Sequence, residues 1–219
     1  MMKPSLLFIC GSPRAYGNCM TLAEDLVSRA TLAGCECTVA APLKTLGFDE
    51  TSAAFTSFMG MEGCRSCGGC KKTGTCVIDD AMRSIYPTLE RVDGVVWISP
   101  TYFGSVSSQL KAVIDRFQAL YSRRLLGLVE VGALRKPVLS IVLGGGEDPY
   151  GNEAAFIPLE SGSHMFEGHV IERLSITGVD QAGEINESAH SEARQSAYEM
   201  LDTLVAQAQV FAEQRTKSE

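Results

Sequence analysis

Four of the eight cysteines in this 219-residue chain fall within thirteen residues, as Cys64-x2-Cys67-x2-Cys70-x5-Cys76, among Gly63, Gly68, Gly69 and Gly74. Thiols that close together on a glycine-rich loop can turn inward around one small object. A structural zinc usually draws its ligands from two knuckles a dozen or more residues apart. Here one continuous loop supplies all four, which is nearer the C-x2-C-x2-C run of iron–sulfur proteins. Ferredoxins with that run send the fourth cysteine to another cluster and follow it with Pro. In this chain Val77 follows Cys76 and there is no second set. One [4Fe–4S] cluster on Cys64, Cys67, Cys70 and Cys76 fits best; zinc, and disulfide or free-thiol chemistry, stand as alternatives. Cys10, Cys19, Cys35 and Cys37 are scattered over expected strands and a helix start, and read as buried apolar residues.

Three other stretches carry binding chemistry. Gly11-Ser12-Pro13-Arg14-Ala15-Tyr16-Gly17-Asn18-Cys19 joins an expected strand to an expected helix. Ser12, Asn18 and the free amides of the helix's first turn suit a phosphate, with Arg14 adding charge; a plain tight turn is the alternative. Without a terminal Gly-Lys-Ser/Thr or a G-x-G-x-x-G pattern, it is neither a nucleoside triphosphate loop nor a dinucleotide fingerprint. Pro100-Thr101-Tyr102-Phe103-Gly104-Ser105 sets two aromatics at a strand tip, where a flat ring could lie against them, unless both fold under the next helix. Gly144-Gly145-Gly146 leaves room for a ligand against bare backbone. His164, His169 and His190 sit in no ligand spacing, and no Ser–His–Asp set or H-E-x-x-H is present. No dedicated general acid or base is expected.

The elements that must position these loops follow from periodicity. Continuous apolar runs at Ser5–Cys10, Cys37–Ala41, Gly94–Ser99 and Pro137–Leu143, with a weaker one near Val170–Ile176, predict five strands, the first of them buried on both faces. Helical patterns follow the first strand (Leu22 to Ala30), start at Asp79-Asp80 and run through Leu89, cover Leu110 to Tyr121, and fill Glu187 to Gln214. Leu43 to Met61 reads as loop, with a short helix near Ala53 to Met59. Strands alternating with helices predict a doubly wound α/β sheet in three layers, with ligands beyond the carboxyl ends of its strands. All the loops singled out fall on that one edge.

With 45% apolar and 21% charged residues, the chain is expected to form one soluble domain over 1–219, with its cysteine-rich loop at about 60–80. A net charge of −7 argues against nucleic acid or an anionic membrane as partner. The apolar run Leu6–Cys10 is too short for a secretory signal or a membrane span. A cytoplasmic location is expected, where clustered thiols stay reduced.

The loop Gly11-Ser12-Pro13-Arg14…Gly17-Asn18 resembles the phosphate loop of flavodoxin-like NAD(P)H-dependent FMN reductases. Ser99 to Ser107, followed by Leu110-Lys111…Ile114-Asp115-Arg116, resembles that family's flavin-ring loop and next helix. With the cysteine stretch added, the likeness is to the iron–sulfur flavoprotein branch and spans roughly Leu6 to Gly146. It implies FMN held by Ser12, Arg14, Gly17, Asn18 and Cys19 at the phosphate, and flanked by Pro100, Thr101, Tyr102, Phe103 and Gly104 and by Gly144, Gly145 and Gly146 at the ring. It implies a [4Fe–4S] cluster nearby on Cys64, Cys67, Cys70 and Cys76. Electrons would pass between the two cofactors, with NAD(P)H or a ferredoxin-like protein as donor and a small molecule or protein as acceptor, in a homodimer or homotetramer. Two other functions are an NAD(P)H-dependent FMN or quinone reductase whose cysteines hold zinc or nothing, and a non-catalytic redox carrier or sensor. Three departures stand out: Cys19 where the family mostly has Ser or Thr, a long Leu43–Cys64 connection, and an acidic Gly146–Gly151 loop.

Overall fold

The computed structural model describes residues 3–43, 53–129, 132, 134–146 and 149–218. The five apolar runs form strands β1 (Ser5–Cys10), β2 (Glu36–Ala41), β4 (Gly94–Pro100), β5 (Lys136–Gly144) and β6 (Gly168–Thr177). A sixth, β3 (Ala54–Ser57), lies where a short helix was expected. Phe55 and Thr56 belong to types that favour a pleated surface, and β3 pairs with β2 through Val39↔Phe55 and Ala40↔Thr56. The five-stranded expectation therefore becomes six strands, all parallel, in the order β3-β2-β1-β4-β5-β6.

The chain moves outward from β1 to β3 and then returns to β4 on the other side of β1. The order therefore reverses between β1 and β4, whose carboxyl ends open the crevice such sheets use for ligands. Side chains alternate across the strands: Leu6, Phe8 and Cys10 enter one core and Leu7 and Ile9 the other. Helices α1 (Asn18–Leu32) and α7 (Ser191–Ser218) cover the first core; α3 (Met82–Arg91), α4 (Ser108–Arg116), α5 (Gln118–Leu125) and α6 (Glu153–Met165) cover the second. The remaining helix, α2 (Cys70–Thr73), is a single turn inside the cysteine loop. Among the described residues no helix is long and apolar enough to cross a membrane.

Two helices differ from expectation in ways that matter to the sites. The pattern Leu110 to Tyr121 breaks at Phe117 into α4 and α5. The Phe117 ring is locked in the core against Trp97 and Phe166, at centroid distances of 6.3 and 6.0 Å. Helix α6 was hidden by Pro158, a residue that removes one intrahelical bond. Its Ser163 hydroxyl accepts the buried Trp97 indole N–H at 2.9 Å, tying α6 to β4.

Candidate functional site

At the β1/β4 crevice one cleft is lined by Ser12, Arg14, Gly17, Asn18, Cys19, Pro100, Thr101, Tyr102, Gly144 and Gly145, joined by Leu143, Val179 and Asp180. Ten expected cofactor residues from three separate loops thus meet at one place. Phe103, Gly104 and Gly146 lie outside its lining. Phe103 is fully exposed and its backbone has φ +51°, a left-handed conformation an aromatic residue rarely adopts. Glu147 and Asp148 of the acidic loop lie outside the described residues.

The cleft's floor is a helix N-terminus. Gly17 precedes α1 without any side-chain cap, and the first turn holds no acidic residue. Met20 and Thr21 donate to the Gly17 carbonyl, leaving the amides of Asn18 and Cys19 without an intrahelical partner. Those amides and the positive helix end suit an anion. The Ser12 hydroxyl accepts from the Arg14 amide at 3.2 Å and shapes the turn. A Cβ on Gly11 would stand 2.7 Å from Leu110 Cβ, so the loop packs directly on α4. Ser107 joins the two: its hydroxyl donates to the Gly11 carbonyl at 2.5 Å and accepts from the Leu110 amide, capping α4.

The structure gives Asn18 a bracing set of partners. Its side chain donates to the Gln181 carbonyl at 2.8 Å and accepts from the Gly183 and Ile185 amides. Arg14 donates to the Asp180 carbonyl at 2.9 Å. The segment after β6 therefore closes one side of the cleft. The sequence reading missed it, because Val179 and Asp180 carry no motif. Asn152 holds the opposite side, bonding Thr101 Oγ1 at 2.6 Å and the β5 and β6 carbonyls of Val142 and Ile176.

The cysteine set forms a second centre. Cys64, Cys67, Cys70 and Cys76 all line one cavity of about 220 Å³ with Arg116, Gln118 and Ala119. Among the described residues no three His, Cys, Asp or Glu groups gather tightly enough for one metal ion. Left-handed residues Ser66 (φ +53°) and Gly68 (φ +73°) curl the loop. The Ser66 amide donates to Cys64 Sγ at 3.4 Å; the Ser122 hydroxyl donates to the Gln118 carbonyl at 2.9 Å and lies 3.3 Å from Cys70 Sγ. By contrast Cys10, Cys19, Cys35 and Cys37 are buried as expected, and burial pushes the Cys10 thiol up to about 12 and Cys37 up to about 11.

One residue organises that loop. Arg116, at the end of α4, is 1% exposed and donates to the carbonyls of Glu62 and Ile78, on either side of the four cysteines. Its charge is met by Asp80 at 2.6 and 3.1 Å. Burial works against the guanidinium charge, but Asp80 and Cys76 more than offset it, so the group is held above its ordinary value. Asp80 also accepts from the Met82 amide at 3.1 Å, at the start of α3.

Residues 4–152 match the family model described as NADPH-dependent FMN reductase. The chain belongs to that family. Within it, the chain is 34% identical over 125 residues to an iron–sulfur flavoprotein of Methanosarcina thermophila, covering 57% of this chain and 58% of that protein. It is 44% identical over 117 residues to an iron–sulfur flavoprotein of Archaeoglobus fulgidus, covering 51% and 50%. The chain thus spans between half and three fifths of the length of these relatives. A solved structure described as a putative quinone reductase from Klebsiella pneumoniae superposes with TM-score 0.61 at 17% identity, over 92% of this chain and 85% of that one, which shows a shared fold. In this FMN reductase family member the cleft at the strand switch and the cysteine cavity stand at the two ends of α4, Ser107 serving one and Arg116 the other.

Proposed function

We propose that this chain is a flavin-dependent oxidoreductase that holds FMN in the β1/β4 cleft and a [4Fe–4S] cluster in the cysteine cavity. The observation that carries this reading is the pair of centres joined by one helix. Ser107 and Arg116 are nine residues apart, roughly 13 Å at the rise of an α-helix. FMN would supply two-electron chemistry and the cluster single-electron steps, so the two together suit splitting an electron pair.

The protein's part is placement. The Asn18 and Cys19 amides, the Ser12 hydroxyl and Arg14 hold the phosphate, while Asn18's side chain braces the wall behind it. Pro100, Thr101, Tyr102, Gly144 and Gly145 flank the ring, and Phe103 with Gly104 presents an aromatic at the mouth. Cys64, Cys67, Cys70 and Cys76 hold the cluster, with the Ser66 amide donating to one of the sulfurs; hydrogen bonds of that kind tune a cluster's potential. A ferredoxin-like protein or NAD(P)H serves as donor, a small molecule or protein as acceptor, and the exposed Phe103 suits a homodimer or homotetramer.

Metal analysis of anaerobically purified protein tests the reading. Iron and acid-labile sulfide in equal amounts, with FMN, are expected. Zinc in place of iron, or a flavin spectrum without iron and sulfide in protein purified and kept anaerobic, would overturn it in favour of a cluster-free reductase.

A further inference from the structure

Beyond these two centres lies a third cavity that neither uses. It measures about 470 Å³ and is bounded by Thr73 to Cys76 and Ile78 of the cysteine loop, Arg83, Tyr86, Pro87 and Glu90 of α3, Ala119, Leu120 and Arg123 of α5, and Leu128. It shares Cys76, Ile78 and Ala119 with the cysteine cavity and no residue with the flavin cleft. Cys76 is therefore a wall between two spaces, with the other three thiols on its far side.

The lining fixes what the space would accept. Its size falls in the range of small-molecule sites. Tyr86 spends its hydroxyl on the Arg116 carbonyl at 2.6 Å, so what it offers the cleft is its ring. With Pro87, Ala119, Leu120, Ile78 and Leu128 it makes an apolar floor. Charge enters through Arg83 and Arg123, against one lining carboxylate, Glu90. Arg83 pairs with Asp79 and Arg123 with Glu90, yet a guanidinium carries five N–H donors and keeps some free after one pair. An apolar floor beside two guanidinium groups with N–H donors to spare matches a flat apolar molecule with one acidic group.

We propose that this cleft is a second ligand site, which takes a small aromatic acid and seats it against Cys76. The site is built from side chains whether or not the cysteines hold iron, so it does not depend on the cluster. Bound there, the ligand lies on the opposite side of Cys76 from the cysteine cavity and away from the flavin. It would meet the redox centre through a ligand cysteine, with no access to the isoalloxazine.

Calorimetric titration of FMN-saturated protein with anthraquinone-2-sulfonate, whose blocked quinone ring spares the thiols, tests this. Binding tighter than about 1 mM is expected, undiminished by excess FMN. Leu128→Asp, at an exposed wall position outside the cysteine loop, should weaken it at least about tenfold. Arg123→Gln should weaken the sulfonate by about tenfold and leave the uncharged hydroxymethyl analogue unchanged. FMN content should be the same in both variants. Absence of binding, displacement by FMN, or full affinity in Leu128→Asp would overturn the proposal.

Discussion

The two candidate cofactor sites are built in opposite ways. The β1/β4 cleft gathers residues from position 12 to position 180, carried there by the ends of β1, β4, β5 and β6. The cysteine set comes from thirteen consecutive residues, with only one helical turn of regular structure among them. The first needs no local device, because the sheet's hydrogen-bonded register already fixes each loop's root. The second has no register to rely on, and the structure supplies one from outside: Arg116 reaches in from α4 and fastens both ends. Sequence-local sites need a distant anchor, and sequence-dispersed sites need only the fold.

Removing the anchor should have the largest effect. Arg116→Leu strands Asp80 and two carbonyls, and breaking a buried pair from one side costs about 3–5 kcal/mol. Chemical denaturation should show that loss, and metal analysis should show iron falling while FMN is retained. Equal loss of both cofactors would break the contrast between the sites. Gly11→Val attacks the other side: its Cβ would meet Leu110 Cβ at 2.7 Å, a clash costing about 1–3 kcal/mol. FMN affinity should fall and iron content hold. Asn18→Ala leaves the Gly183 and Ile185 amides unpaired, for about 1–2 kcal/mol. FMN titration should show weaker binding as that wall loosens, with the cluster unchanged.

The smallest effect on cofactor content belongs to a group in neither site. Lys136 opens β5 at the opposite edge of the sheet, 4% exposed, its ammonium donating to the Leu89 carbonyl. Burial lowers its pKa to about 7, Arg215 adds to the fall, and Asp93 opposes it. In the unfolded chain a lysine keeps its proton to about 10.4, so between those values the unfolded state binds the extra proton and stability rises with pH. Denaturation midpoints should climb from pH 7 toward 10, and Lys136→Met should flatten that climb. Cofactor content should not follow it.

Much of this was legible in the residues. The runs of β1, β4 and β5 became strands because parallel strands buried on both faces read as unbroken hydrophobic stretches, while β6, half-exposed at the sheet edge, gave only the weaker run. The four cysteines line one cavity, and their spacing, a local property, could be read without the fold. What stayed hidden was long-range or disguised. Strand β3 is four residues long and partly exposed, too short to show a period. Pro158 masked α6. The segment after β6 closes the β1/β4 cleft through backbone carbonyls and amides, which any sequence could provide. Arg116 was visible within a family-like helix, but its task depends on Glu62, Ile78 and Asp80, brought to it only by folding.

Helix α4 has a mechanical consequence. Its first turn is fastened to the Gly11 carbonyl and its last to both ends of the cysteine loop. A short helix is stiff along its axis, so it behaves as a connecting rod with a joint at each end. The two loops therefore share one ruler, whose length is the step along α4 from Ser107 to Arg116.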